Sequence, residues 1–396
     1  MTGEYRHGTH RAVPPARTLV RVGPYAARCG VTRLADVTGL DTIGIPVFQA
    51  IRPLARSLSV SQGKGATRAA AQVSALMEAI ELHHAETVEP AETRAATPDE
   101  AAFCAAISPA YDQRATFDPD RVRGWCHGVD LVSGRRKAVP HAVVSMDFTV
   151  PASDDIVASS NGLASGNTLG EATNAGLCEL IERDAHSRWL TLSLRDRYAT
   201  LIDPGSIDDR LGRGLMARVD AADLGLRLWD LSGEGGPAVI LCAIFETFSS
   251  PALIQRPALG GGAHPSARIA LARAITEAAQ SRATMIAGAR DDLTDESYRD
   301  AAGMRLQMLF EGGLGATGGR SWCEVPDRRS SSLAGDLDWL IARCTARGAG
   351  AIARVDLSPQ ETGVHVVKLI VPGFGDYERP PGPGTLRSFD VKPFIS

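Results

Sequence analysis

Hydrophobic and polar residues follow two different periods along this chain. Residues 66–86, ATRAAAQVSALMEAIELHHAE, place apolar side chains at helical spacing, and similar patterns follow glycine-rich runs within residues 160–189 and 260–286. Between them, segments such as RLWDLSGEGGPAVILCAIFE read as two strands joined by a turn. The pattern predicts three units, each a Gly-rich loop followed by a helix, with pairs of strands between the helices.

The three predicted helices share a spacing of polar residues. Each carries two such positions three residues apart: Glu78 and Glu81, Glu179 and Glu182, and Glu277 and Gln280. On a helix this spacing puts both side chains on one face. The first positions of the pairs lie 101 and 98 residues apart, a period too long for a solenoid. We therefore expect an α/β fold in which three related loop-helix/strand lobes surround one central site.

Composition excludes several classes of protein. The 396 residues include 46 acids and 42 bases, a net charge of −4 that argues against a nucleic-acid-binding surface. The sequence shows neither an apolar signal core nor an apolar run long enough to span a membrane, so we expect a cytoplasmic protein without a membrane partner. Seven scattered cysteines without a C-x-x-C pair indicate reduced, mostly buried thiols rather than disulfides or zinc ligands.

Several acids and arginines on the three units would meet if the helices converge: Glu78, Glu81, Asn167, Glu171, Glu179, Glu182, Arg183, Arg273 and Glu277. So many carboxylates repel one another unless cations join them, and Mg²⁺ prefers oxygen ligands shared with substrate phosphates. Backbone N–H groups of Gly-rich loops that open helices suit phosphate oxygens. Arginines can neutralise charge that develops during phosphoryl transfer. The set predicts a nucleotide site with several Mg²⁺ ions.

Simpler interpretations stand beside this one. A single E-x-x-E on a helix is more often a solvated face than a ligand set. The run SQGKG lacks the spacing of a P-loop, which weakens Lys64 as a phosphate contact. The adjacent His83 and His84 point to different helical faces, which favours surface or packing roles, and His264 before Pro265 is typical of a residue that shapes a turn.

Three stretches closely resemble the signature regions of the YcaO family: SQGKGATRAAAQVSALMEAIE, SNGLASGNTLGEATNAGLCELIERDA and ARAITEAAQSR. They occur in the same order and spacing, and the resemblance runs from about residue 55 to 375. The opening segments GTHRAVPPARTLVRV and VTGLDTIGIPVFQAIRPLARSLSVSQGKG look most like the branch of the family that commonly works with a TfuA partner protein.

The resemblance implies an ATP- and Mg²⁺-dependent enzyme that activates a backbone amide of a ribosomally synthesised peptide. A nucleophile attacks the amide carbonyl, ATP phosphorylates the resulting oxyanion, and phosphate leaves. A neighbouring Cys, Ser or Thr side chain as nucleophile gives an azoline, and an external sulfide gives a thioamide. By motif match, magnesium would be held by Glu78, Glu81, Glu179 and Glu182, with Glu171 beside them. The nucleotide would be bound by Ser74, Asn167, Arg183, Arg273 and Glu277, and the two arginines are also the catalytic candidates.

Three positions depart from the family pattern. Leu82 follows Glu81 where many members have arginine, and Phe374-Gly375 stands where we expect something closer to Leu-Glu. The chain ends in VKPFIS rather than in the Pro-x-Pro-x-Pro tail of azoline-forming members. Because that tail is tied to cyclodehydration, its absence modestly favours thioamide over azoline formation.

The same resemblance suggests how the chain is organised. We expect an N-terminal extension, residues 1–55, packed on a catalytic domain, residues 56–375, with a Pro/Gly-rich tail at 376–396. No fused peptide-clamp domain is visible, so we expect as partners a precursor peptide and a TfuA-like or other delivery protein. A homodimer is compatible with the sequence but is not established by it. Two alternatives stay open: a non-catalytic peptide-binding scaffold, motivated by Leu82, and the same chemistry on a folded protein.

Overall fold

A computed structural model describes most of the chain. It covers residues 4–107, 117–153, 155–156, 158–247, 257–291, 319–328, 330, 332–359 and 362–375. The predicted tail at 376–396 lies outside the described residues.

The helices of the described residues alternate with strands along the chain. They are α1 Pro15–Arg28, α2 Arg68–Glu86, α3 Pro98–Ile107, α4 His141–Val144, α5 Leu169–Leu190, α6 Leu194–Tyr198, α7 Arg210–Ala221, α8 Ala267–Ala287 and α9 Leu333–Ala346. Short 3₁₀ turns lie at Thr38–Leu40, Pro204–Ser206 and Trp322–Glu324. The three longest helices, α2, α5 and α8, are those predicted from the apolar spacing.

The strands are β1 Arg33–Asp36, β2 Val47–Ile51, β3 Val60–Lys64, β4 Glu92–Arg94, β5 Arg123–Asp130, β6 Arg136–Pro140, β7 Leu163–Gly166, β8 Leu224–Asp230, β9 Ala238–Glu246, β10 Ala258–His264, β11 Ala353–Asp356 and β12 His365–Ile370. They form three antiparallel sheets, with strand orders β1-β2-β3, β10-β9-β8 and β4-β5-β11-β12-β7, and β6 pairs with β5 in the third. The strand pair predicted within residues 227–246 is confirmed as β8 and β9.

The Gly-rich runs before α2, α5 and α8 are strands, so their interpretation as loops was wrong. They form β3, β7 and β10, and only a few residues separate each strand from its helix. A Cβ on Gly63 would lie 2.1 Å from the backbone nitrogen of Ala75, and one on Gly262 would lie 2.1 Å from the carbonyl oxygen of Ala270. Glycine is therefore required because each helix lies directly on its own strand.

The three strand–helix units form a closed arrangement. Besides its own strand, α2 contacts β7, α5 contacts β10, and α8 contacts β3. Each helix thus reaches the strand of the next unit in cyclic order, which brings the three helices around one centre. The prediction of three related lobes is confirmed, and the cyclic packing is what joins them.

Three apolar clusters fill the spaces between sheets and helices. One joins β8 and β9 to α7 and α8, a second joins β2 to α1 and α2, and a third joins β7 and β12 to α5 and α9. Six of the seven cysteines are buried free thiols and Cys323 is exposed, which agrees with the expected buried thiols. Within the described residues, no helix is long and apolar enough to cross a membrane.

The N-terminal residues are integrated with the first unit. Helix α1 packs on α2, and β1 and β2 complete the sheet that contains β3. One sheet therefore includes residues on both sides of the boundary predicted at 55/56. The division into 1–55 and 56–375 stays a prediction.

Candidate nucleotide and metal site

Glu78 and Glu81 lie on the side of α2 that faces β7 and α5. The Ser165 hydroxyl of β7 donates a hydrogen bond to Oε1 of Glu81 at 2.5 Å. The charge of Glu179, on α5, acts on both α2 carboxylates. The first two predicted acid pairs are therefore close together, as the converging helices required.

Burial and neighbouring charges shift the pKa values of these two carboxylates. Burial raises the pKa of Glu78 to about 7 and that of Glu81 to about 8, and the negative charge of Glu179 adds to both shifts. Lys64 partly opposes the shift of Glu78, and the hydrogen bond from Ser165 partly opposes that of Glu81. Near neutral pH this pair therefore holds protons that a bound cation would displace.

The second acid pair comes from α5. Glu179 Oε1 lies 3.6 Å from Nη2 of Arg183, one turn further along the helix. Glu182 is only 4% exposed and lies against β10, since a Cβ on Gly261 would be 2.5 Å from its Oε1. The other oxygen, Oε2, is buried without a hydrogen-bond partner in the part of the chain that is described. A buried carboxylate oxygen of this kind calls for a cation or a donor from outside.

Cations from all three units surround the acid of the third unit. Nζ of Lys64, at the end of β3, lies 2.7 Å from Oε2 of Glu277 on α8. Burial opposes ionisation of Glu277, but Lys64, Arg183 and Arg273 outweigh it and lower the pKa of this carboxyl. The pKa of Glu182 is raised instead, because burial and the negative charge of Glu277 outweigh the two arginines. Buried acids in the same centre thus have opposite shifts.

Glu171 lies at the first turn of α5 and is 2% exposed. Both of its oxygens have protein partners: the Asn167 side-chain amide donates to them at 2.9 and 3.1 Å, the backbone N–H of Ala12 at 2.8 Å, and Arg11 at 3.2 Å. These contacts tie the residue to the N-terminal segment. Its role beside the metal stays a prediction.

Asn167 joins the same segment through its carbonyl oxygen. The Thr18 hydroxyl donates to Oδ1 at 2.8 Å, and the Arg21 guanidinium donates to the same atom. Sequence reasoning did not assign Arg11, Thr18 or Arg21 to the site. The opening segment had signalled the branch of the family, but its contacts span about 150 residues of chain and no local pattern shows them.

The other predicted positions on α2 have clear locations. Ser74 is half-buried and lies one turn before Glu78 on the same face. Leu82 is buried in the apolar cluster between α1, β2 and α2, so this departure from the family pattern fills a core position.

The departure at Phe374-Gly375 lies against α5. The N–H of Gly375 donates to Asp184 Oδ1 of α5 at 3.0 Å, and a Cβ on Gly375 would lie 2.7 Å from the Ser187 hydroxyl.

The packing interpretation of the histidines is supported by their contacts. The ring of His84 stacks on Tyr25, whose hydroxyl lies 2.6 Å from Nε2. Burial lowers the pKa of His84 to about 4. His264 accepts the N–H of Ser266 on Nδ1 at 2.9 Å and so shapes the turn into α8, as expected.

His10, His264 and Asp336 form a second buried polar cluster whose side chains are close enough to share a metal. Nδ1 of His10 lies 3.0 Å from Asp336 Oδ2, and Nε2 lies 2.6 Å from Glu4 Oε2. The lone pair on Nδ1 of His264 is taken by the N–H of Ser266, which leaves the ring proton on Nε2. A hydrogen-bonded network that anchors the N-terminal segment to α9 explains these contacts without a metal.

The central carboxylates, by contrast, fit Mg²⁺ and a nucleotide. They combine an orphaned oxygen on Glu182 with raised pKa values on Glu78 and Glu81. Nε of Arg273 is also buried without a hydrogen-bond partner among the described residues, so it can donate to a bound anion. Oxygen ligands beside arginines are the groups that Mg²⁺ and phosphates require.

An α/β fold of three converging strand–helix units around carboxylates and arginines defines a protein of the nucleotide- and magnesium-binding class. The chain belongs to the YcaO family. Residues 62–375 match the family described as YcaO cyclodehydratase, ATP- and Mg²⁺-binding. ATP and Mg²⁺, the predicted cofactors, are therefore those of the family.

Two relatives are similar over almost the whole chain. A protein encoded in the tfuA 3′ region of Rhizobium leguminosarum bv. trifolii is 36% identical, over 92% of this chain and 88% of its own. A protein of Methanothermobacter thermautotrophicus is 34% identical, over 92% of this chain and 94% of its own. The first relative confirms the resemblance to the branch associated with TfuA.

Solved structures share the fold. YcaO from Methanopyrus kandleri, bound with AMPPCP and Mg²⁺, superposes with a TM-score of 0.73 at 23% identity and covers 94% of both chains. A heterocyclase in complex with substrate and cofactor gives a TM-score of 0.75 at 22% identity and covers 95% of this chain. This chain corresponds to only 54% of that heterocyclase.

Proposed function

We propose that this protein uses ATP and Mg²⁺ to activate a backbone amide in a ribosomally synthesised peptide. The proposal rests on the family and on one observation: two pairs of buried or half-buried acids meet Glu277 and its neighbouring cations at one centre. One chain of the E. coli microcin synthetase McbBCD complex with pro-MccB17 bound has the same fold, with a TM-score of 0.62. By analogy, we propose a substrate peptide and partner proteins for this chain.

Different residues are proposed to hold the metal, bind the nucleotide and neutralise charge. Glu78, Glu81, Glu179 and Glu182 would hold magnesium, with Glu171 beside them, and Ser74 and Asn167 would bind the nucleotide with Arg183, Arg273 and Glu277. When bound, Mg²⁺–ATP supplies the phosphoryl group that makes an amide oxygen a good leaving group. Arg183 and Arg273 would neutralise the negative charge that develops during phosphoryl transfer. The framework keeps these groups in fixed positions, which favours transfer over hydrolysis by water.

The product is proposed to be a thioamide, with an azoline as the alternative. Mass spectrometry of a modified peptide separates the two, because an azoline has lost one water and a thioamide has exchanged oxygen for sulfur. A second proposal concerns the partner. We propose a TfuA-like delivery protein, consistent with the relative encoded in the tfuA 3′ region.

Calorimetric titration of ATP with Mg²⁺ tests the proposed site. We expect the wild-type protein to bind, and we expect Glu78→Gln with Glu81→Gln to abolish detectable binding while circular dichroism shows an intact fold. Glu234→Gln, an exposed acid between β8 and β9, is the matched control and should bind normally. Equal binding by the double variant and wild type would show that these acids do not hold the magnesium and nucleotide.

The retained set of carboxylates argues against the non-catalytic scaffold. It was suggested by Leu82 in place of an arginine, but that side chain packs in the core. An arginine is present at the matching place on α5, as Arg183 beside Glu182. Failure of the wild-type protein to bind any nucleotide with Mg²⁺ would favour the scaffold again.

A further inference from the structure

The exposed side of α1 is basic and apolar and contains no acid. Its buried residues pack towards α2, and the exposed side chains recur at helical spacing: Arg17, Val20, Arg21, Pro24 and Arg28. Val20 is 79% exposed, so an apolar side chain lies in water between arginines. Such a stripe is a surface on which a partner with acidic and apolar side chains gains both charge and burial.

This stripe connects two places in the molecule. At its start, Thr18 and Arg21 contact Asn167 of the candidate nucleotide site. At its end, Arg28 and the next two residues line a cavity of about 260 Å³. The helical rise puts Arg28 about 10 Å beyond Arg21, a distance that about three residues of extended peptide cover.

The cavity is positively charged. Arg28, Arg52 and Arg56 line it, with Glu86 as the acid among its lining residues. That carboxylate already accepts bonds from Arg52 and from the N–H of Ser57, the latter at 3.0 Å. Nε of Arg52 is buried without a hydrogen-bond partner in the described part of the chain. The cavity thus offers a buried donor to an anion, while its one acid is engaged.

Neighbouring charges agree with this description. Burial lowers the pKa of His83, which also lines the cavity, and the positive charges of Arg52 and Arg56 lower it further, although Glu86 opposes them. Outside the lining, Asp147 lies 2.9 Å from Arg56 and balances part of its charge. The arginines still outnumber the acids around the opening, so a carboxylate is the favoured ligand.

Exposed apolar side chains flank the cavity. Leu54, in its lining, is 95% exposed. Phe148 is 55% exposed, and its N–H donates to the carbonyl oxygen of Arg56 at 3.0 Å. A nucleic acid would engage the arginines but would leave these apolar groups unused, whereas a peptide with acidic and apolar residues would use both.

We propose that the α1 stripe and this cavity bind an acidic, apolar-containing segment of the peptide substrate and lead it to the candidate nucleotide site. The inference rests on the proposed function for the source of the peptide. The carboxylates would pair with Arg28 and the cavity arginines, and the apolar side chains would lie on Val20 and Leu54. The amide to be modified would follow this segment towards Asn167.

Fluorescence anisotropy without nucleotide tests the docking surface. The probe is a short fluorescein-labelled peptide in which glutamate and leucine are separated by serine. We expect Arg28→Glu to weaken binding by about tenfold or more, because charge reversal replaces attraction by repulsion. Arg28→Lys should retain most of the affinity. Arg213→Glu, the same reversal on the exposed face of α7, should bind like the wild type.

Several outcomes would overturn the inference. Equal affinity of Arg28→Glu and Arg213→Glu would show that this surface does not hold the probe, and equal binding of a peptide with glutamine in place of glutamate would remove the role of charge. A single-stranded oligonucleotide that displaced the peptide at equal charge would make the stripe a general polyanion surface instead. Thermal unfolding of each variant excludes loss of the fold as the cause.

The experiment also separates this inference from the proposed function. If the wild-type protein fails to bind ATP with Mg²⁺ but binds the probe through Arg28, the proposed function fails and the docking surface stands. If ATP binds and Arg28→Glu leaves the probe affinity unchanged, only the docking surface is lost.

Discussion

The acids of the first two strand–helix units differ from the acid of the third in the charges that surround them. Helices α2 and α5 present two acids each, and burial with mutual repulsion raises the pKa of Glu78 and Glu81. Helix α8 presents Glu277, whose pKa is lowered, despite burial, by Lys64 and two arginines. One framework therefore carries a cation-poor sector suited to Mg²⁺ and a cation-rich sector suited to phosphates.

Glu182 lies where the two sectors meet, so its charge has the largest expected effect. Glu182→Gln keeps the size of the side chain but removes one proposed metal ligand. We expect ATP consumption with the peptide substrate to fall by about 10²–10³-fold, the usual effect of losing one key electrostatic group. Phosphate release measures this, with Glu234→Gln as control. Normal turnover in Glu182→Gln would contradict the division into two sectors.

The cation-poor sector also predicts a gain in stability when its acids are neutralised. Folding raises the pKa of Glu78 to about 7 and of Glu81 to about 8, so their contribution to stability is present at low pH and is lost as the pH rises through these values. Without Mg²⁺, Glu78→Gln with Glu81→Gln should therefore be more stable than wild type at pH 9 and similar at pH 4.

Thermal unfolding at both pH values measures this stability difference. A double variant that is less stable than wild type at pH 9, with Mg²⁺ chelated, would mean that these carboxylates are well compensated inside the fold. Adding Mg²⁺ and ATP should stabilise only the wild type, because binding to the native state adds its free energy to folding.

The pH dependence of Mg²⁺–ATP binding follows from the same two groups. Protons compete with the metal for Glu78 and Glu81 below their raised pKa values of about 7 and 8. We expect the affinity to increase from pH 6 to about pH 8 and then to level off. Calorimetry in buffers of different ionisation enthalpy should also detect proton release on binding. Affinity that does not change between pH 6 and 8 would place the metal elsewhere.

In the cation-rich sector, Lys64 should act through Glu277. Lys64→Met removes the ammonium 2.7 Å from that carboxylate, so the pKa of Glu277 should rise. We expect ATP turnover to fall by about tenfold, a smaller loss than for Glu182→Gln, because two arginines remain nearby. The double variant Lys64→Met with Glu277→Gln should lose less activity than the product of the two single losses predicts. Strict independence of the two changes would argue against their functional coupling.

Sequence alone predicted the framework of the two sectors but not its details. Helical spacing and the recurrence of Glu78 with Glu81 and Glu179 with Glu182 were sufficient to predict converging helices, because both are local patterns. The strand character of the glycine runs was missed, since Gly63 and Gly262 are required by contact with a helix that forms only in the tertiary structure.

Long-range contacts explain the rest of what was missed. Arg11 reaches Glu171 across 160 residues of chain, and neither residue has a local pattern that indicates the other. The same holds for Gly261, which accommodates Glu182 across two units. The pKa of a buried acid also depends on charges that come near it only in the folded protein. The opposite pKa shifts of Glu182 and Glu277 could therefore not be predicted from the sequence, where both residues lie on similar helices.

The smallest expected effect compares the N-termini of the three helices. Thr67 accepts the N–H of Ala70 at 3.2 Å, and Thr168 accepts that of Glu171 at 3.1 Å. Ser266 makes no such bond, and Asp327 instead accepts the first N–H of α8 at 3.0 Å. We expect Thr67→Ala and Thr168→Ala each to destabilise the protein by about 1 kcal/mol.

Ser266→Ala should cost less than either threonine change, because it removes only the hydroxyl bond to Asp327. Asp327→Ala should resemble the threonine changes, since it leaves the first N–H of α8 without its cap. Denaturant unfolding measures all four variants in one buffer. If Ser266→Ala costs as much as Thr168→Ala, the third helix is capped like the first two, and the difference between the units is confined to the charges at the centre.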